Sequence, residues 1–483
     1  MKRLILCASL AAGLAAAGTP PVARAQSAET AADPAHLSLA AGYKAAFTCS
    51  ATFNAGRSLE QIAGDELNRI YPDYRDAFET LPDAVIDQKA KTVSVRFADG
   101  FAPRVAAWRS LLGCVQLPSG ADDLQSVRLP RIPPELAAEI QALRMATDPN
   151  DPNKLRIAAL PIVEETPAPV ARVVDAAFDR KTYGDGTETT AVLVMRDGVI
   201  LAERYREGFD AVTPQRTWSV AKSIAASVIG AAVHDGVLTV AEPARLKAWL
   251  APGDPRASIT IENLLHMASG LDSSPAGNRT DDVYFGGGRI VDHAVDRRLV
   301  AAPGERWRYA NNDTMIVMRS IRERMNDDGA YLAYPHLRLL SRIGMTTTFP
   351  ETDWNGDFVF SSQVWTTARD LARLGMLYLN DGVWQDERIL PENWARYVAT
   401  PAPAQPGARG NGEARPGYGA QFWLFDDRHG LPEGTYAAMG NRGQYLFIVP
   451  ERNIIIVRRG FDDNGGARFD VAAFVRDALA VIE

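Results

Sequence analysis

Two predicted β-hairpins stand at opposite ends of the long C-terminal part of this 483-residue chain. The first covers residues 191–202, where apolar runs flank Asp197-Gly198, and an Asp-Gly pair between apolar runs is a hairpin signal. The second covers residues 445–457 and turns at Pro450. The segment between them is helical in pattern and begins with an apolar helix over 219–234. These elements predict an α+β fold: both ends of the segment complete one antiparallel sheet, and helices cover its faces.

Composition divides the chain into four segments. Residues 1–25 are predicted to be a signal peptide. Residues 26–127 form an N-terminal region of unknown role, whose Ala-rich first stretch, 26–42, is expected to be poorly ordered. Residues 128–169 hold eight prolines and are predicted to be an irregular connector, because proline at that density breaks helices and strands. Residues 170–483 form the predicted main domain, which carries the chemical motifs.

The N-terminus has the pattern of an export signal. Lys2 and Arg3 precede an apolar run over 4–18, and Ala23-Arg24-Ala25 fits the small-x-small rule for cleavage before Gln26. An uncleaved membrane anchor is the alternative, although the run is shorter than the roughly 20 residues that span a bilayer. We therefore expect a secreted or periplasmic protein without stable membrane insertion.

Motifs for metals, nucleotides and nucleic acids are missing from the sequence. It contains no CxxC or HExxH spacing, no GxxxxGK[ST] loop, and no GxGxxG that follows a strand and opens a helix. The formal net charge of −7 disfavours a nucleic-acid binder, which normally has a basic surface. We expect no metal, no cofactor and no nucleic-acid partner. The sequence does not indicate the oligomeric state.

Two cysteines remain beyond the signal peptide, Cys49 and Cys114. A pair of cysteines in an exported chain suggests one disulfide, which would tie the N-terminal region together. Two buried free thiols are the alternative, because the sequence does not show whether the two Cα atoms come within bonding range.

The first candidate catalytic pair is Ser219 and Lys222, at the start of the apolar helix. A serine hydroxyl needs a base to become a nucleophile, and residues three apart share one helix face. Apolar surroundings would lower the pKa of the lysine toward that of a usable base. The alternative is a solvent-facing pair on an ordinary helix. The apolar neighbours and the scarcity of lysine, eight in the whole chain, argue against it.

Tyr309 and Asn311 form a second candidate element. A tyrosine beside a lysine can be partly deprotonated, or can relay a proton between the serine and the leaving group. An asparagine two residues on can hold the lysine and a polar group of the substrate. The same spacing recurs at Tyr378-Leu379-Asn380, inside an apolar helical run, and there it predicts core packing followed by the end of a helix.

The third candidate element is the glycine-rich stretch from Gly440 to Gln444, just before a predicted strand. Glycine lets a backbone approach a substrate closely. A backbone N–H here could pair with that of Ser219 as an oxyanion hole. The alternative is an ordinary glycine-rich strand entry or bulge.

Taken in order, Ser219-x-x-Lys222, Tyr309-x-Asn311 and the glycine-rich strand entry resemble the β-lactamase and penicillin-binding-protein superfamily of serine hydrolases. The Tyr-x-Asn second motif is similar to that of the class C β-lactamase and esterase branch. The segments 260–271 and 366–373 also resemble the family. The resemblance covers about residues 170–483 and implies an antiparallel sheet of five or more strands with helices on both faces, an all-helical lobe over about 235–400, and a cleft between them.

The third motif departs from the lactamases of this superfamily. They carry Lys-Thr-Gly or His-x-Gly where this chain has Ala438-Met439-Gly440, so the cation that would meet a substrate carboxylate is missing. The Gly-x-x-Gly-Gln form resembles the 6-aminohexanoate-dimer hydrolase and esterase members instead. This resemblance implies that the Asn441 N–H is the second oxyanion donor and that Gln444 is structural or faces the substrate. Tyr284, in the loop between the first two motifs, either faces the substrate or is a plain loop aromatic.

These residues predict an exported serine hydrolase that cleaves a small-molecule ester or amide through an acyl-enzyme on Ser219, with Lys222 and Tyr309 sharing the general-base work. Within enzymes, the alternative is a cell-wall D-amino-acid peptidase or a weak β-lactamase. From another class, the alternative is an inactive binding or scaffold module that kept the fold.

Overall fold

The computed structural model describes residues 33–70, 72–148, 151–155, 159–273, 284–407, 415–463, 466 and 468–482. The predicted signal peptide lies outside these residues. None of the helices described is long and apolar enough to span a bilayer.

The N-terminal region is built from helices packed on a small antiparallel sheet. Its elements are α1 (Pro34–Phe53), α2 (Leu59–Asp65), α3 (Pro72–Thr80), β1 (Val85–Asp87), β2 (Thr92–Val95), β3 (Arg104–Arg109) and β4 (Gly113–Gln116), and the strands pair in sequence order. The expectation of disorder over 26–42 is wrong from Pro34 onward, because α1 begins there, capped by Asp33. The small residues of α1, such as Ala40 and Ala41, let it pack closely and are fully buried.

The connector carries regular structure, contrary to prediction. It contains α4 (Pro134–Met145) and a small hairpin of β5 (Thr147–Asp148) and β6 (Asp151–Leu155). Pro133 and Pro134 stand at the start of α4, where proline is tolerated because the first N–H groups of a helix have no partner inside it.

One seven-stranded antiparallel sheet organises the main domain. Its strands are β7 (Thr189–Arg196), β8 (Val199–Tyr205), β14 (Gly417–Tyr418), β15 (Trp423–Phe425), β16 (Thr435–Gly440), β17 (Gln444–Val449) and β18 (Ile454–Gly460). They are ordered β14-β15-β16-β17-β18-β7-β8. Strand β18 pairs with β7, so that Ile454 lies opposite Arg196. The prediction that both ends of this segment complete one antiparallel sheet is confirmed.

Helices cover both faces of this sheet. On one face, α5 (Ala168–Ala176) and the C-terminal α13 (Val471–Val481) share an apolar cluster with the strands, including Val174 and Phe474. On the other face lie α6 (Val220–His234) and α11 (Ala368–Leu379), which belong to the largest apolar core. Tyr378, in the second Tyr-x-Asn copy, lies in that core, and Asn380 caps the end of α11 as predicted.

The lobe predicted to be all-helical also contains short strands. Its helices are α7 (Ile261–Leu265), α8 (Ile290–Val295), α9 (Asn311–Met325), α10 (Asp328–Pro335), a π-helical turn (His336–Leu340) and α12 (Trp394–Val398). Its strands are β10 (Phe349–Pro350), β11 (Val364–Thr366), β12 (Val383–Trp384) and β13 (Glu387–Arg388). Strand β11 pairs with β10 and with β9 (Gln215–Arg216), which leads into α6. Strands of two or three residues are too short to show an alternating pattern in the sequence.

Candidate active site

Ser219 stands at the junction between β9 and α6. It is the N-cap residue of α6, so its backbone N–H lies at the positive end of the helix. The preceding residue, Trp218, has a φ of 50°, a left-handed conformation that costs a non-glycine residue about 1–2 kcal/mol. The Arg216 guanidinium lies 4.1 Å from the Trp218 ring, and the Phe47 ring lies 5.9 Å from it. Packing against Arg216 and Phe47, which also contact each other, therefore holds the backbone turn that presents Ser219.

The Lys222 amine lies beneath the Ser219 hydroxyl. Its Nζ is 3.3 Å from Ser219 Oγ and donates to Asn311 Oδ1 at 2.7 Å and to the Ser361 carbonyl at 2.7 Å. Lys222 is 1% exposed, and burial lowers its pKa to about 7. Burial penalises the ammonium form, and no carboxylate accepts from this amine among the described residues. The site therefore favours a neutral amine that can accept a proton.

Tyr309 approaches the same pair from a separate segment, two residues before α9 begins. Its ring lies 4.8 Å from Lys222 Nζ and stacks on the ring of Trp423 at 5.5 Å. Burial raises the pKa of Tyr309 well above its usual value, and a hydrogen bond with Ser219 lowers it by less. The phenol is therefore neutral, which favours the proton relay over the partly deprotonated tyrosine that the sequence left open.

Gly440, the last residue of β16, lies directly against the Ser219 segment. A Cβ at position 440 would lie 2.4 Å from the Thr217 carbonyl oxygen and 3.2 Å from the Ser219 nitrogen, so only glycine fits. The chain then turns through residues 441–443, with left-handed φ values at Arg442 (57°) and Gly443 (79°). We call residues 441–443 the oxyanion turn.

A cavity of about 350 Å³ opens above these groups. Its lining includes Ser219, Tyr309, Trp423, Asn441, Tyr445 and Arg468. Among the described residues, neither the Ser219 N–H nor the Asn441 N–H donates to a backbone carbonyl, which leaves both free for a ligand. The arrangement can accept a carbonyl carbon at Ser219 and its oxygen at two backbone N–H groups.

Two predicted substrate-facing residues lie outside this cavity. Gln444 is buried, its amide nitrogen donates to the carbonyls of Arg442 and Gly460, and its oxygen accepts from Arg459. Of the two roles left open for Gln444, the structure places it in the structural one.

Tyr284 also lies behind the site, not in the cavity. Its hydroxyl is 2.5 Å from Ser361 Oγ. The carbonyl of the same Ser361 accepts from Lys222. It is buried and raises the pKa of Tyr309 slightly. Tyr284 therefore does not line the cavity that contains Ser219, and its contact with Ser361 makes it more than a plain loop aromatic.

Sequence reasoning missed two contributors to the site. The Ser361 carbonyl fixes the Lys222 amine, and a backbone carbonyl leaves no signature in a sequence. Trp423 supports the Tyr309 ring, but a single tryptophan on a three-residue strand does not stand out from core aromatics. In the described part of the chain, no group of three or more His, Cys, Asp or Glu side chains could hold a metal ion.

The predicted cysteine pair is joined. Cys49, on α1, and Cys114, on β4, form a disulfide with a Cα–Cα distance of 6.1 Å. The bond ties the first helix to the small sheet of the N-terminal region.

Residues 174–460 match the family model for beta-lactamase, and the chain belongs to that family. Over 317 residues it is 27% identical to the 6-aminohexanoate-dimer hydrolase of Paenarthrobacter ureafaciens, which covers 61% of this chain and 79% of that protein. These findings confirm the resemblance drawn from the three motifs. The N-terminal region lies outside the family match.

Solved structures of the same fold include esterase and penicillin-binding relatives. A family VIII carboxylesterase aligns with a TM-score of 0.53 at 13% identity, over 67% of this chain and 99% of its own. A penicillin-binding protein homologue from Caulobacter crescentus aligns with a TM-score of 0.53 at 12% identity, over 66% and 99%. At these identities the likeness establishes the fold, and the site chemistry rests on the geometry above.

Proposed function

We propose that this protein is an exported serine hydrolase that cleaves an ester or amide of a small molecule through an acyl-enzyme on Ser219. One observation carries the proposal: a buried amine, with no carboxylate accepting from it among the described residues, lies 3.3 Å from the hydroxyl of a helix N-cap serine. Burying an amine that has no opposite charge beside it costs stability, so its presence next to a hydroxyl favours a chemical role over packing.

The proposed reaction has two halves. Ser219 Oγ attacks the substrate carbonyl carbon and gives its proton to Lys222, while the N–H groups of Ser219 and Asn441 stabilise the oxyanion. Tyr309 then delivers a proton to the departing alcohol or amine and is reprotonated from Lys222. Water next attacks the acyl-enzyme with the same pair as base, which releases the acid and restores Ser219. Asn311 holds the Lys222 amine in place throughout.

The names of the relatives support this substrate class. One curated relative is a hydrolase of the 6-aminohexanoate dimer, and one structural neighbour is a carboxylesterase. The Ala438-Met439-Gly440 segment offers no cation on β16 for a β-lactam carboxylate.

A second candidate, a D-amino-acid peptidase or weak β-lactamase, is favoured by Arg468. This arginine lines the cavity that contains Ser219, and a guanidinium there can pair with a substrate carboxylate. Whether a penicillin leaves a stable acyl group on Ser219 distinguishes the two candidates.

Export is proposed on two grounds. The N-terminal sequence has the pattern of a signal peptide, and the Cys49–Cys114 disulfide is typical of an oxidising compartment. The first residue of the mature chain, read by N-terminal sequencing of the exported protein, would test it.

Intact-protein mass spectrometry with a fluorophosphonate tests the nucleophile. We expect one adduct on the wild-type chain and none on Ser219→Ala, with Ser223→Ala as a control on the same helix that keeps the adduct. Turnover of a short-chain p-nitrophenyl ester, an amide and a penicillin then separates the candidates. Ester or amide turnover without penicillin labelling supports the main proposal, whereas stable penicillin labelling supports the second. An unlabelled wild-type chain that turns over nothing would contradict both and indicate a binding module.

A further inference from the structure

We propose that Arg442 is a positioning residue through which the N-terminal region holds the oxyanion turn. The inference rests on the proposed function, because it concerns the placement of the Asn441 N–H beside Ser219. It assigns a role to a region that lies outside the family match.

Arg442 is one of the residues that line the cavity, and its guanidinium bonds to the N-terminal region. Its Nη1 donates at 3.0 Å to the carbonyl of Asp65, the last residue of α2, and its Nη2 donates at 2.8 Å to the carbonyl of Asn68, three residues further on. The same guanidinium donates to the carbonyls of Asp462 (3.2 Å) and Phe461 (3.3 Å), which follow β18. Arg442 is 4% exposed. One buried guanidinium therefore joins the oxyanion turn, the N-terminal region and the end of β18.

The backbone conformation at Arg442 explains why these side-chain hydrogen bonds matter. Its φ of 57° is left-handed, a conformation in which glycine or asparagine is usual and arginine is disfavoured. A disfavoured backbone conformation persists only where its surroundings over-determine it. Here four backbone carbonyls accept hydrogen bonds from the Arg442 guanidinium and supply that restraint. The Gln444 side-chain amide also donates to the Arg442 carbonyl, at 3.1 Å.

The partner segment is itself fastened to the main domain. The Asp65 carboxylate accepts from Arg57, on the loop before α2, and from Arg206, which follows β8, at 2.5 Å. Through its carboxylate, Asp65 is thus fixed to both the N-terminal region and the main domain, and its backbone carbonyl accepts from Arg442. An anchor of this kind restrains the backbone of Arg442 and therefore also the N–H of Asn441, the residue before it.

Position matters here because an oxyanion donor works only at the right distance. Loss of one such donor typically costs about 100- to 1,000-fold in kcat, and misplacement by about 1 Å can cost about 100-fold. A donor that is present but no longer held in place should cost about 10- to 100-fold in kcat. The ground-state contacts of the substrate, and hence KM, should change little.

Four variants of the full chain test the proposal on a short-chain p-nitrophenyl ester. Arg442→Gly removes the guanidinium and also the backbone strain, since glycine adopts left-handed φ freely. Arg442→Lys keeps the charge but cannot reach several carbonyls with a planar fork. Asp65→Asn loosens the anchor without touching the turn. Arg428→Ala, which removes an exposed arginine paired with Asp426, is the control.

We expect Arg442→Gly to lower kcat about 10- to 100-fold with KM within about twofold. Arg442→Lys should recover part of that loss, Asp65→Asn should lower kcat about three- to tenfold, and Arg428→Ala should match the wild type. The pH midpoint of kcat/KM should stay at the wild-type value, because Lys222 keeps its surroundings. General loosening of the site would move that midpoint.

Wild-type kcat for Arg442→Gly would overturn the inference, because the turn would then need no link to the N-terminal region. If Arg442→Gly fails to fold, Asp65→Asn decides: a lowered kcat at unchanged KM supports the inference, and wild-type kinetics refute it. A wild-type enzyme that forms no Ser219 adduct with the fluorophosphonate would instead refute the proposed function. This measurement on the wild type comes before the kinetics of the variants.

Discussion

The Lys222 amine lies 3.3 Å from the Ser219 hydroxyl and meets only neutral oxygen acceptors among the described residues. Asn311 and the Ser361 carbonyl hold it in place without the negative charge that would stabilise the ammonium. Burial therefore lowers the pKa of Lys222 to about 7. A lysine in this state can act as a base near neutral pH.

The first prediction concerns pH. Lys222 must be neutral to accept the Ser219 proton, so kcat/KM for an ester should rise with pH and level off above a midpoint near pH 7. The Tyr309 pKa is raised, so its ionisation should produce no falling limb below about pH 10. A pH–rate profile from 5 to 10 measures both features. A midpoint near 10, the ordinary value of a lysine, would contradict the assignment of Lys222 as the base.

The second prediction separates the roles of Lys222 and Tyr309. Tyr309→Phe keeps the ring that stacks on Trp423 but removes the hydroxyl that would protonate the leaving group. We expect a loss of about 100-fold or more in kcat for an amide, and a smaller loss for a p-nitrophenyl ester, whose leaving group departs without a proton. Steady-state kinetics on both substrates measure the difference.

The second Tyr-x-Asn copy offers a matched control for this experiment. Tyr378→Phe removes a buried hydroxyl that contacts Ser227 and lies outside the cavity. We expect it to cost some stability and to leave the ratio of amide to ester kcat unchanged. Equal losses on both substrates for Tyr309→Phe would refute the proton-delivery role.

The third prediction concerns Glu351, a buried carboxyl that links the two parts of the chain. Its Oε1 accepts from Ser50 (2.6 Å), Asn54 (3.1 Å) and the Cys114 N–H (2.9 Å), and burial raises its pKa to about 7. The folded state therefore holds this proton more tightly than the unfolded state, and the free energy of unfolding should fall as pH rises from about 4.5 to about 7. At 1.36 kcal/mol per pKa unit, a shift from 4.5 to about 7 lets this one group account for at most about 3.4 kcal/mol.

Glu351→Gln keeps an acceptor oxygen and cannot ionise. We expect the variant to gain stability relative to the wild type between pH 5 and pH 8, as read from urea unfolding at the two values. The same gap between variant and wild type at both pH values would show that Glu351 has the same pKa folded and unfolded.

The fourth prediction concerns the disulfide. Cys49 and Cys114 are 65 residues apart in the sequence, and closing a loop of this length typically contributes about 2–5 kcal/mol to stability. The double variant Cys49→Ala and Cys114→Ala should therefore melt well below the wild type. Reduction of the wild type should lower its melting temperature to a similar value, and a melting temperature unaffected by reductant would contradict the prediction.

The sequence determined those features that rest on short-range geometry. Ser219 and Lys222 stand three residues apart, and helix geometry alone puts them on one face. The Asp197-Gly198 turn specified its hairpin, and the order of the three motifs was enough to place the chain in the beta-lactamase family. The same local reasoning failed at Pro133 and Pro134, because proline at the start of a helix supports it, whereas proline inside a helix breaks it.

Tertiary structure alone decided which distant backbone groups complete the site. The Ser361 carbonyl fixes Lys222, Gly440 lies against the Ser219 nitrogen, and Arg442 reaches the carbonyls of the N-terminal region. Every residue type carries a carbonyl and all but proline an N–H, so no periodicity or motif marks the ones that will be used. Their roles follow from the packing of segments far apart in the chain, and that packing is fixed only when the whole core forms.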